Sequence, residues 1–197
     1  RTDDTVVESL VETVNQIKPD LVVVSGDLTQ RAKSGEFVAA RAFLDRLPQP
    51  QIVVPGNHDV PLYNVYKRFV SPLAGFNKYI TYDLTPFYRD DEVAVIGVNT
   101  ARSLTIKDGR INKEQVAEIS ARFSLLDDRL FKIVVTHHPF DLPAGFSKDH
   151  LVDRAEKAMP EIAESGADIF LSGHLHVSNI TDSAVRYRLV SGRSGLI

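Results

Sequence analysis

Four times along this chain a short apolar run breaks off at a glycine or a threonine into a loop of acidic, amide or imidazole side chains. The stretches are "VVVSGDLT", "IVVPGNHD", "IVVTHHP" and "IFLSGHLH", which end at Thr29, Asp59, Pro139 and His176. Runs this short, apolar at consecutive positions, read as strands buried on both faces. Helical periodicity fills the intervals. Val6, Val7, Leu10, Val11, Val14 and Ile17 share one face of a helix over 3–17, and further helices are expected over 35–46, 112–126 and 151–165. Asn112 stands where an N-cap belongs, with Gln115 placed to complete a capping box. Residues 91–100 read as a strand, and 184–192 as a last one. Residues 61–90, rich in Tyr, Phe and Pro, lack a clean period and read as short helices and irregular structure. Strands alternating with helices specify an α/β architecture. In such sheets ligands bind outside the carboxyl ends of the strands, where all four polar loops would stand.

The loops hold five of the six histidines; His150 falls outside them and reads as a solvated loop residue. His174 and His176, one residue apart past a strand, can converge on one point, and converging imidazoles suit zinc, iron and related metals. The chain has no cysteine, so a metal would be held by His, Asp, Glu, Asn or water. The net charge of −3 and pI near 6.1 argue against a basic nucleic-acid groove. No apolar run approaches the length of a membrane span. A length of 197 residues suits one domain, over 1–197. Because the chain opens on Arg1 directly ahead of a helix and stops in "SGRSGLI", that domain is expected to be truncated at both ends.

In the order GD, GNHD, H-x-P and G-H-x-H, from about Asp20 to His176, the chain resembles the calcineurin-like metallophosphoesterases. The resemblance implies a four-layer α/β/β/α sandwich with two mixed sheets and two divalent ions at the strand ends. Carried over by motif, Asp27 would bridge the ions. Asn57, His137 and His174 would complete one site, and His176 would serve the other. His137 rather than His138 is the family's ligand, two residues before Pro139. His58 would face the leaving group and protonate it, with Asp59 orienting His58. Arg31 and His138 are candidates for contact with the substrate phosphate. The bridged ions would hold a water that attacks phosphorus in line. Mn, Fe, Zn, Co and Ni all suit such ligands.

The family opens with a D-x-H motif on its first strand, and no D-x-H occurs here. Truncation is the favoured explanation. Purple acid phosphatases carry a metal-binding Tyr where this chain has Gln30, and Ser/Thr protein phosphatases read GDxVDRG and GNHE where it reads "GDLTQRA" and "GNHD". The pattern looks most like bacterial phosphodiesterases of the cyclic-nucleotide type. The expectation is therefore a cytoplasmic hydrolase of a cyclic nucleotide or similar small diester, its oligomeric state open. The alternatives are a hydrolase of nucleotide-sugar or lipid pyrophosphates, a nuclease, or an inactive scaffold. Tyr63, Tyr66, Phe69, Phe76 and Tyr79 in 61–90 could build a substrate-facing cap.

Overall fold

The computed structural model describes residues 3–62, 65–103, 108–182 and 187. Helices and strands alternate along the first half: α1 (Asp4–Ile17), β1 (Val22–Val24), α2 (Ser34–Leu44) and β2 (Gln51–Val53), then the short helices α3 (Val65–Val70) and α4 (Ala74–Tyr79). The second half holds β3 (Phe87–Arg89), β4 (Val93–Gly97), α5 (Lys113–Phe123), β5 (Phe131–Val135), α6 (Ala155–Glu164) and β6 (Ile169–Leu171). Asn112 caps α5, its side chain accepting from the Gln115 amide while Gln115 reaches back to the Asn112 amide. Among the described residues no helix is long and apolar enough to cross a membrane.

The strands form two sheets. β1 and β2 pair in parallel, and β3-β4-β5-β6 form a four-stranded sheet that is parallel except for the antiparallel edge strand β3. Only the larger sheet is mixed among the described residues, a correction to the expectation of two mixed sheets. β3 also lies inside 61–90, where no strand was expected. The segment expected as a strand over 184–192 lies, but for Tyr187, outside the described residues.

Side chains along each strand divide between cores with a period of two. Ile52 and Val54 join Val95, Val135, Val23 and Ile133 in a cluster between the sheets. Val53, Val22 and Val24 face the opposite way, onto Val11 of α1, Phe37 and Leu44 of α2 and Phe76 of α4. Ala94, Ile96, Val134 and Phe170 pack on Val116, Ile119 and Phe123 of α5 and Met159 and Ile162 of α6. Both faces of the central strands are therefore covered, which is why their sequence is apolar at consecutive positions. Within 61–90, Phe76 is fully buried and Tyr79 stacks on Phe37, while Tyr66 and Phe69 are exposed. Tyr63 lies outside the described residues.

Candidate metal centre

The carboxyl ends of β1 and β2 in one sheet and of β5 and β6 in the other meet at one place. Asn57 Oδ1 is 2.9 Å from His137 Nε2 and 3.2 Å from His174 Nδ1, and those two ring nitrogens are 3.3 Å apart. Asp27 Oδ1 lies 3.4 Å from His137 Nε2. His176 is exposed on the same loop as His174, and a positive charge on it would disfavour protonation of both His137 and His174.

The donor set fits a divalent ion. Atoms that coordinate one ion at bonds of about 2.0–2.2 Å stand about 3 Å from one another, which is the spacing found here. The hydrogen assignment points the same way. His137 Nδ1 is 2.7 Å from the Ser25 carbonyl oxygen, which only accepts, so Nδ1 carries the hydrogen. Nε2 then presents a lone pair toward the oxygens of Asn57 and Asp27. Acceptors facing acceptors want a cation between them. Burial holds His137 below the ordinary imidazole range, against the pull of Asp27 and of the Ser25 carbonyl. Burial, with the neighbouring His137 and His150, pushes His174 down to about 4. Both rings are thus neutral near pH 7, the form that ligates.

Backbone strain collects at these residues. Asp27, His174 and His176 have φ of 57°, 71° and 54°, in the left-handed region where few side chains other than Asn, Asp and His are found. Gly26, at φ 92°, allows the loops to touch: a Cβ on it would stand 2.6 Å from the Gly56 nitrogen and 2.9 Å from His137 Nδ1. At Gly56 a Cβ would run into the Asp27 carboxylate and amide. Gly56→Ala should therefore cost about 1–3 kcal/mol of stability, read from a denaturant midpoint. Gly35→Ala, with open space around it inside α2, should be neutral or stabilising. Equal behaviour of the two variants would contradict the contact.

His58 is exposed. Its amide donates to Asp27 Oδ1 (3.0 Å) and its Nδ1 is 3.0 Å from the Gln30 carbonyl oxygen, so Nδ1 donates. Asp59 does not orient it, a correction to the expectation. The turn Asn57–Asp59 sends the Asp59 side chain inward, where it accepts from the amides of Gly56, Leu28 and Thr29 and contacts the Thr29 hydroxyl at 3.0 Å. Burial pushes its carboxyl up to about 6, against the lowering pull of the Gly56 and Thr29 bonds. Asp59 is a clamp between the GD and GNHD loops.

His138 is fully buried, with Nδ1 2.8 Å from the Thr100 hydroxyl. That corrects its assignment to substrate contact, although its ligating atoms lie within 4.8 Å of those of His137 and His174. Arg31 has an exposed side chain, and its amide donates to Glu36 at the start of α2. His150, read as solvated, is half-buried with Nδ1 3.0 Å from His174 Nε2. Ser25, Gln30, Thr29 and Thr100 hold the site residues in place through hydrogen bonds that no spacing in the sequence signals.

A family model described as calcineurin-like phosphoesterase matches residues 5–178. The chain is 28% identical over 170 residues to a probable cyclic nucleotide phosphodiesterase of Synechococcus sp., which covers 83% of this chain and 60% of that one. It is 29% identical over 184 residues to a probable cyclic nucleotide phosphodiesterase of Xenorhabdus bovienii, covering 90% and 69%. It is 28% identical over 130 residues to the glycerophosphodiester phosphodiesterase GpdQ of Enterobacter lignolyticus, covering 65% and 44%. The chain thus spans about 60% of the length of its Synechococcus relative. Among solved structures it shares its fold with the phosphopantetheinyl hydrolase of Mycobacterium tuberculosis, with a TM-score of 0.50 at 16% identity, covering 89% of this chain and 77% of that one.

Proposed function

The chain belongs to the calcineurin-like phosphoesterase family, and from that premise we propose that it hydrolyses a small phosphodiester with the help of divalent metal ions. The observation that carries this reading is the convergence of four atoms, Asp27 Oδ1, Asn57 Oδ1, His137 Nε2 and His174 Nδ1, at separations suited to one ion. A second ion would share Asp27 and take His176. Bound there, the ions supply an activated water and neutralise charge on the phosphate oxygens. The chain's own contribution is to hold neutral imidazoles ready without proton release, to keep one carboxylate between the loops, and to present His58. With one hydrogen on Nδ1 tied to the Gln30 carbonyl, the doubly protonated His58 ring would give the other, on Nε2, to the departing alkoxide and return to its neutral form. In this reading the two sheets and their flanking helices form the four-layer sandwich of the family. The three apolar clusters, one between the sheets and one on each outer face, support it.

The relatives' names favour a cyclic nucleotide as substrate class, and the acidic balance of the chain disfavours polynucleotides. The test is a panel with Mn²⁺ added: bis-p-nitrophenyl phosphate, a 3′,5′-cyclic nucleotide, a glycerophosphodiester, a nucleotide pyrophosphate and single-stranded DNA. Turnover of the first two, dependent on metal and abolished by a chelator, is the expected outcome. Preference for the pyrophosphate would move the reading to the pyrophosphate hydrolases. Exposed Tyr66 and Phe69 on α3 would then matter as an apolar cap for a lipid-linked substrate.

A further inference from the structure

The loop between β5 and α6 brings a further imidazole onto the site. His150 closes the turn Lys148–His150, and its ring centre lies 5.1 Å from that of His174, with the Phe146 ring 6.2 Å away on an edge-on approach. Its Nδ1 stands 3.0 Å from His174 Nε2. It lies in the connection that "THHP" opens, eleven positions beyond Pro139 and outside the four polar stretches themselves.

We infer that His150 is a positioning residue for the metal centre: its Nδ1 accepts a hydrogen bond from His174 Nε2–H and so holds His174 in the tautomer whose Nδ1 lone pair faces Asn57 and His137. The inference rests on the reading of His174 as a ligand.

A neutral imidazole has one N–H and one lone pair. His174 points Nδ1 at Asn57 Oδ1 and His137 Nε2. For that nitrogen to ligate, the hydrogen must sit on Nε2. An N–H in this half-buried position needs an acceptor, or its desolvation is uncompensated. His150 Nδ1 is the acceptor the fold puts there. In the opposite tautomer His174 would carry its hydrogen on Nδ1, donate toward Asn57 and His137, and block its own ligating nitrogen. The pairing thus decides between a ring ready for metal and one closed to it. His174 also gains from an outside anchor because its own backbone is strained, with φ of 71°. Partners of this kind on a ligating imidazole fix both tautomer and ring angle, and their loss weakens metal binding by about 10- to 100-fold.

The test compares His150→Leu and His150→Asn with the unaltered chain. Leu keeps bulk without an acceptor; the Asn side-chain oxygen takes about the place of the His Nδ1. Mn²⁺ affinity is read by calorimetry, Co²⁺ coordination by visible absorption, and the fold by circular dichroism. The Leu variant should bind Mn²⁺ about 10- to 100-fold more weakly with an altered Co²⁺ spectrum, and the Asn variant should recover most of both. If Leu loosens the fold, His150→Ser, small and tolerated on a turn, should show the same weakening. Wild-type affinity in the Leu and Ser variants would overturn the inference. So would equal weakness in Leu and Asn, which would mean that ring packing rather than an acceptor matters. An unaltered chain that takes up no Mn²⁺ would instead overturn the metal reading itself.

Discussion

Asp27→Asn should leave the chain folded, empty the centre of metal and lower turnover of bis-p-nitrophenyl phosphate by at least about 10²-fold, in line with the loss of an electrostatic element aimed at the reacting centre. Of the four donors that meet there, Asp27 alone brings negative charge. Asn57 is neutral, and burial keeps His137 and His174 neutral too. An ion at this place, or two sharing Asp27, would lose the one negative charge that these four donors supply. Asparagine is the informative replacement. It keeps the shape of the side chain and tolerates the φ of 57°. It also keeps an oxygen to accept from the His58 amide. Alanine would add backbone strain of about 1–3 kcal/mol and confuse folding with charge. Metal content and circular dichroism together check the outcome. Full metal with normal turnover in Asp27→Asn would remove Asp27 from any bridging role.

The sequence made the strands legible because covered sheets leave a simple trace. Ile52, Val53 and Val54 face alternate cores, so all three are apolar, and the run ends where the backbone leaves the sheet. The N-cap of α5 was legible because Asn112 and Gln115 satisfy local amides that every helix start leaves open. β3 was not. Phe87–Arg89 forms an edge strand whose pairing depends on β4 already being in place, and nothing local in its three residues demands it. His138 follows His137 in the bend past β5, and the two rings meet edge-on with centres 4.9 Å apart, but His138 turns its Nδ1 to the Thr100 hydroxyl while His137 turns its nitrogens to Ser25 and Asn57, a difference no spacing in the sequence signals. Asp59 beside His58 invited a pairwise role, but a tight turn separates neighbours in sequence by direction, and Asp59 went to the clamp. His150 pairs with His174 across 24 positions, a contact that only the packed chain creates.

His58→Ala separates catalysis from metal binding. His58 touches the centre through its backbone, whose amide donates to Asp27, while its ring is held by the Gln30 carbonyl. Removing the ring leaves every converging donor atom in place, so metal stoichiometry should stay near that of the unaltered chain. The leaving group decides the kinetic effect. A ribose or alkyl alkoxide departs poorly without a proton, and turnover on such a diester should fall about 10²- to 10⁴-fold. Nitrophenolate leaves well unprotonated, so turnover on the p-nitrophenyl diester should fall far less. The ratio of the two losses is the measurement, because it cancels any shared damage to binding. Equal losses with metal retained would make His58 a stabiliser of phosphate charge rather than a proton donor. A loss of metal as well would show that the ring supports the donors, and the division between Asn57 as ligand and His58 as acid would fall.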